Sequence, residues 1–199
     1  MRRRATTALA VLLVAASLAL AACGPTESPE PNYTAFPLGP TAWASGTTGQ
    51  YGLHIDPSLL GKLPRTVAAQ PLIEDAGLET SAMDNADLAK TFDNYAAASV
   101  GQIGDADWFS LSIGHVRDQS QSSDLYQAWA EQFATGSCSQ ADGVTTSSQE
   151  QIGDYQVDES ICGGGPMVYT LSLGSGLILS IFEGGTHHWG RQLIQAIYF

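Results

Sequence analysis

Residues 88–100, Leu88-Ala89-Lys90-Thr91-Phe92-Asp93-Asn94-Tyr95-Ala96-Ala97-Ala98-Ser99-Val100, decide how the fold is read. Leu88, Phe92, Tyr95, Ala96 and Ser99 recur at i, i+4, i+7, i+8 and i+11, the apolar stripe of an amphipathic helix. Acids cluster just before it, around residues 84–87, and Gly101 follows it. The spacing therefore predicts a helix that ends at Gly101.

Downstream of this helix the period changes. Residues 108–117 alternate, with Phe109, Leu111 and Ile113 on one face and Ser110 and Ser112 on the other, as in a half-buried strand. Ser122 or Ser123 then caps a second helix with Tyr126, Trp129, Ala130 and Phe133 on its buried side and Gly136 at its end. After Cys138 the alternation returns. Residues 144–152 and 155–162 flank Gly153-Asp154, a two-residue hairpin turn. Met167, Tyr169, Leu171 and Leu173 form the next strand, Gly174-Ser175 turns the chain, and residues 177–182 form the last. Thr186 is placed to cap a final helix striped by Trp189, Leu193, Ala196 and Ile197. Upstream, Asp56-Pro57 opens a short helix through Leu60, Pro64 ends it, and residues 67–73 are extended or irregular, interrupted by Pro71. The expected fold class is α+β: a sheet of about five mainly antiparallel strands, covered mainly on one side by three helices and stapled by one disulfide.

Further towards the N-terminus the composition shifts. Arg2-Arg3-Arg4 precede an apolar run over residues 8–20, and small residues lead to Leu20-Ala21-Ala22-Cys23. That layout is similar to the signal of bacterial lipoproteins, with Leu20–Cys23 as the lipobox. The resemblance covers about 23 residues. It implies removal of residues 1–22 as a signal peptide and a diacylglycerol thioether on Cys23, with palmitate-type acylation giving the two chains that stable anchoring needs. An ordinary signal peptide cleaved after Ala21 is the competing reading, and it leaves a free thiol beside the new N-terminus. A permanent span is disfavoured because the uncharged stretch is marginal for about 20 residues and begins with Thr6 and Thr7. Residues 23–50 are a Pro-, Gly- and Thr-rich tether, with Pro25, Pro29, Pro31, Pro37 and Pro40 favouring extended conformations. Residues 51–199 are the single domain, with Trp43 and Tyr51 expected to tuck onto it.

Charge excludes some partners. The chain carries 8 basic and 20 acidic side chains. Three of the basic residues lie in the signal, and every acid lies beyond it. Phosphate backbones and anionic headgroups are repelled by such a chain, so nucleic acid is not an expected partner. Cysteine parity adds to the anchor. In an oxidising compartment Cys138 and Cys162 pair, which leaves Cys23 as the odd residue that lipidation explains.

From His54 onward the chain resembles uncharacterised secreted or lipid-anchored domains of high-GC, actinobacterial-type bacteria. The matching residues are His54-Ile55-Asp56-Pro57-Ser58-Leu59-Leu60, Leu63-Pro64, Trp129 ahead of Cys138, Ile152-Gly153 and Cys162-Gly163-Gly164-Gly165. This resemblance implies no activity and carries over no catalytic residue.

Candidate chemistry is sparse. His187 and His188 are adjacent and point about 100° apart on a helix, which does not suit one metal ion. No cofactor and no metal are expected. His115 continues the face of Phe109, Leu111 and Ile113, and reads as a half-buried, hydrogen-bonded histidine. A serine-nucleophile elbow is absent: Gly174-Ser175-Gly176 is a hairpin turn. Asp158 with Glu159 is a pair that chance supplies in so acidic a chain, and Gly163-Gly164-Gly165-Pro166 is a candidate anion nest that more simply relieves strain at a turn. Of the four tryptophans, Trp108, Trp129 and Trp189 fall on core stripes, leaving Trp43 for stacking on sugars.

The expectation is an extracytoplasmic lipoprotein on the outer face of the cell membrane, held through lipid on Cys23. Its domain is non-catalytic and binds an envelope protein or a small ligand. The alternatives are an envelope hydrolase that uses His115 with Asp105 or Asp107, and a carrier of lipid or another small molecule. The position of His115 separates the first alternative from the binding reading.

Overall fold

The computed structural model describes residues 46–197. In chain order the elements are β1 (His54–Ile55), a 3₁₀ helix (Pro57–Lys62), β2 (Thr66–Val67), β3 (Gln70–Pro71), β4 (Ile73–Glu74), α1 (Ala76–Met83), α2 (Ala86–Thr91), β5 (Phe92–Val100) and β6 (Trp108–Val116). There follow a 3₁₀ turn (Gln119–Gln121), α3 (Ser122–Cys138), β7 (Val144–Ile152), β8 (Tyr155–Cys162), β9 (Met167–Gly174), β10 (Leu177–Gly184) and α4 (Trp189–Gln195). Residues 23–45 of the tether, with Cys23 and Trp43, lie outside the described residues, whereas residues 46–50 lie against the start of the domain, with Ile55 N donating to Thr47 O at 2.8 Å and Thr48 bridged to His54.

The helix expected over residues 88–99 is a strand for most of its length. Only α2 is helical, and its cap is Asn85, whose side chain accepts from the backbone N–H of Asp87 and Leu88. From Phe92 the chain runs straight as β5. It is buried on both faces, so Tyr95, Ala96, Ala97 and Ala98 are all inside and no alternation survives in the sequence. A strand of this kind, rich in alanine, is indistinguishable by period from a buried helix.

The consequence is a sheet of eight strands instead of five, in the order β1-β5-β6-β10-β9-β8-β7, with β4 also paired to β5. All pairs are antiparallel except β1 with β5. β1 lies along the first part of β5 and β4 along its second part, so the two share one edge. β2 and β3 form a separate hairpin.

Both faces are covered, where cover mainly on one side was expected. One face holds Ala96, Ala98, Phe109, Leu111, Ile113, Val157, Tyr169, Leu171, Leu179 and Ile181 under the 3₁₀ helix, β2 and α4. The other holds Phe92, Tyr95, Ala97, Val116 and Ile178 under α1, α2 and Trp129 of α3. Cys138 at the end of α3 and Cys162 at the end of β8 form a disulfide, with Cα atoms 5.1 Å apart and both sulfurs buried. It closes α3 onto the sheet beside Ala134 and Val168.

Several local expectations hold. Asp56 caps the 3₁₀ helix, accepting from Ser58 N at 3.1 Å, although the helix runs on to Lys62. Gly153 has φ +59° in the β7–β8 turn, whereas the β9–β10 turn lies one residue later than expected, at the left-handed Ser175 and Gly176, because β9 runs through Gly174. Others fail for tertiary reasons. α3 passes through Gly136 to Cys138, because the disulfide holds its last turn. Tyr51 is half exposed instead of tucked in. Thr186 does not cap α4: its N–H donates to Asp107 Oδ1, and the residue at the cap position is His188.

Candidate functional site

His115 lies on β6 beside Leu177 of β10 and Asn94 of β5. Its carboxylate partner is Asp93, with Nδ1 to Oδ1 at 2.8 Å, and its Nε2 meets the Gln119 amide at 3.0 Å. Burial pushes the Asp93 carboxyl up, but hydrogen bonds from His115 and Asn94 outweigh it and leave the group below the usual carboxylate range. Asp93 sits at the irregularity where β5 shifts register between Phe92 and Asn94, which swings its side chain to the histidine. Asp105 and Asp107 stand before the opposite end of β6. Asp105 accepts from Gln102 N, and Asp107 binds the loop before α4 through Thr186 N, His187 N and the His187 ring. The backbone N–H of His187 is the first of the contacts holding the Asp107 carboxyl low. His115 is thus tied on both ring nitrogens, and among the described residues its hydrogen-bond partners are a carboxylate and an amide, with no nucleophilic hydroxyl.

The histidine pair diverges. His187 bonds Asp107, whereas His188 Nδ1 lies 3.4 Å from Glu183 Oε1. Among the described residues there is no group of three or more His, Cys, Asp or Glu arranged to hold a metal ion. The glycine run after β8 has no free nest. Gly163 N donates to Gly143 O, Gly164 N to Ala141 O and Gly165 N to Cys162 O. Trp108 and Trp129 are buried, and Trp129 Nε1 donates to Ser180 Oγ at 2.8 Å, so neither presents a face to a sugar.

Two buried carboxylates escape sequence reasoning. Glu183 is 3% exposed and accepts from Tyr169 OH at 2.8 Å and from Gly190 N at 2.6 Å, which makes it the group that fixes the start of α4. The one charged residue in the apolar run of β10 is its only trace in the sequence. Glu79 of α1 accepts from Ala97 N, whose backbone faces the gap between β1 and β4 on the edge of β5. Burial, reinforced by Glu74 and Asp75 against the bond from Ala97, pushes its pKa up from 4.5 to about 7. Between those values the folded chain holds a proton that the unfolded chain has lost. Stability therefore falls as pH rises through this window and levels off above it. Glu79→Gln keeps the acceptor for Ala97 without the charge. It is expected to flatten this slope and to raise stability near neutral and alkaline pH by up to about 3 kcal/mol, as urea denaturation at about pH 5 and about pH 8 checks.

Among the described residues, a groove of about 620 Å³ lies between α3 and the β7–β9 side of the sheet. Gln127, Ala130 and Glu131 of α3 form one wall, and Ser147, Gln149, Asp158, Ser160 and Thr170 line the sheet side. Its side chains are cross-linked: Ser147 Oγ to Ser160 Oγ at 2.9 Å, Gln149 Nε2 to Asp158 Oδ1 at 2.8 Å, and Tyr126 OH to Asp158 Oδ2 at 2.6 Å. Thr170 is 1% exposed, and among the described residues its Oγ1 has no hydrogen-bond partner. Such a buried hydroxyl costs about 1–3 kcal/mol. Glu131 and Asp158 give the lining negative charge, and among the described residues it contains no lysine or arginine. A smaller cavity of about 350 Å³ lies between Tyr126, Ser172 and Ile178. The larger groove mixes its polar groups with the apolar side chains of Ala130, Ala134, Val144 and Val168, so it offers hydrogen-bonding groups beside apolar surface.

Comparison with protein-family models, with curated proteins and with solved structures finds no match for this chain.

Proposed function

We propose that this protein is a lipid-anchored, extracytoplasmic binding domain whose ligand site is the groove between α3 and β7–β9. The observation that supports the site is Thr170, a fully buried hydroxyl with no partner among the described residues, at the floor of a preformed groove. The hydrogen-bonded pairs around it pre-set the lining, which lowers the ordering cost of binding. The anchor rests on Leu20–Cys23 and on the pairing of the other two cysteines. No described helix is long and apolar enough to cross a membrane.

The site is tested by native mass spectrometry of the protein purified from its own membrane, beside two variants. Ala130→Trp fills the groove from α3. Thr170→Val removes the buried hydroxyl at nearly constant volume, and is expected to leave stability unchanged or to raise it by about 1 kcal/mol while weakening ligand retention. Ligand retained equally by both variants would place the site elsewhere. The anchor is tested by Cys23→Ser, which is expected to move the protein from the membrane to the soluble fraction and to abolish diacylglycerol labelling. Unchanged membrane association of this variant sinks the anchor.

A further inference from the structure

The two edges of the sheet are treated differently. On one, β1 and β4 are two residues each, and the gap between them is closed by the Glu79 carboxylate on Ala97 N. On the other, β7 is nine residues long, pairs only with β8 among the described residues, and is exposed from Val144 to Gln149. Proteins guard such an edge with lysine, proline or short length, because its free N–H and C=O groups template another strand. The sequence of β7, Val-Thr-Thr-Ser-Ser-Gln-Glu-Gln-Ile, contains neither lysine nor proline. β-branched Val144, Thr145, Thr146 and Ile152 favour the extended state.

The open edge and the groove adjoin. The two-residue turn closes on Ile152 and Tyr155, so alternate residues of β7 direct their backbone groups to β8 and away from it. Ser147, Gln149 and Gln151 are the residues whose backbone faces outward. Ser147 and Gln149 are also groove-lining residues, bonded to Ser160 and Asp158. A strand added to β7 would lay every second side chain towards the groove, about 7 Å apart. The acids Asp158 and Glu131 face that side, while Arg191, the nearby cation, is tied to Glu150 by two hydrogen bonds. A second copy of this chain, with a formal charge of −12, is a poor partner for such a surface, and a basic one is complementary.

We infer that the occupant of the groove is an extended peptide segment with lysine or arginine at alternate positions, bound by strand addition to β7. This deepens the groove reading and rests on it. Backbone bonds to Ser147, Gln149 and Gln151 supply the register, and the alternating cations supply selectivity.

The test is a selection of random decapeptides on the full chain, followed by methylation of each backbone nitrogen of the selected peptides in turn. Enrichment of basic residues at every second position is expected. Methylation is expected to weaken binding tenfold or more at alternate nitrogens and to have no effect between them. Gln149→Lys, an exposed substitution that puts a lysine on the open edge, is expected to weaken binding tenfold or more with an unchanged melting temperature. Peptides that bind without a two-residue methylation period but are lost in Ala130→Trp overturn strand addition and leave the groove as the site. Peptides indifferent to Ala130→Trp sink the groove reading as well. Failure to select any peptide overturns the inference, as does a concentration-dependent dimer in sedimentation that Gln149→Lys dissociates, which would put a second copy on the edge.

Discussion

Phe92→Ala is expected to lower the free energy of unfolding by about 3–5 kcal/mol, within the range for emptying a buried aromatic site. Phe92 is 1% exposed, and its ring meets Trp129 edge-on with centroids 5.0 Å apart. It belongs to the cluster of Leu53, Ile55, Val116 and Ile178 that joins α2 and α3 to the sheet. Across the strand pair the ring occupies the space left by Gly114, where an added Cβ would stand 2.5 Å from a ring carbon. Gly114→Ala should therefore also destabilise, by about 1–3 kcal/mol, through overpacking. Phe92→Leu combined with Gly114→Ala should cost less than the sum of the single changes. Equilibrium urea unfolding followed by tryptophan fluorescence measures all of these, and an additive double mutant would separate the two residues. A helical residue 92 on a solvent-flanked stripe would not couple to Gly114.

Glu183→Ala is expected to cost a similar amount, about 2–6 kcal/mol, for a different reason, the loss of the acceptor for two buried donors. Its carboxylate is buried between β10 and α4, and removal leaves the Tyr169 hydroxyl and Gly190 N–H without their acceptor. Burial and the Glu183 charge push the Tyr169 phenol up, so it stays a donor over the accessible pH range. His188 at the start of α4 has φ +50° and makes no side-chain cap bond, which leaves Glu183 as the group that seats this helix. Glu183→Gln retains an acceptor and should cost only about 1–2 kcal/mol. Hydrogen exchange should show the loss concentrated in α4 and its neighbours. An Ala variant as stable as the Gln variant would show that the buried carboxylate is dispensable.

Legibility in the sequence followed residue pattern and turn chemistry, since β6 and β10 are as buried as β5 and were still legible. β7 to β10 were readable because their turns carry Gly153-Asp154 and Ser175-Gly176, residues suited to hairpin geometry, and because β6, β8 and β9 keep enough alternation. β5 was not, because its alanine-rich run, covered on both faces, continues the helical stripe that starts at Leu88. The same run conceals Asp93. With residues 88–99 read as a helix, nothing placed that carboxylate opposite His115, and Asp105 and Asp107 were the nearer acids in sequence. The groove was illegible for another reason. Ser147, Asp158, Ser160 and Thr170 are ordinary polar residues of three strands, and only their register brings them under α3.

Residues close in the chain, or cysteine parity, already carry the two tight hairpins β7–β8 and β9–β10, the disulfide between Cys138 and Cys162, and the cap at Asp56. Tertiary structure decided the rest: whether residues 92–100 extend, which carboxylate meets His115, what seats α4, and which edge stays open. These depend on long-range burial. An apolar run satisfies its backbone equally well in a helix or a ladder, and only the neighbouring strands and covering helices choose between them.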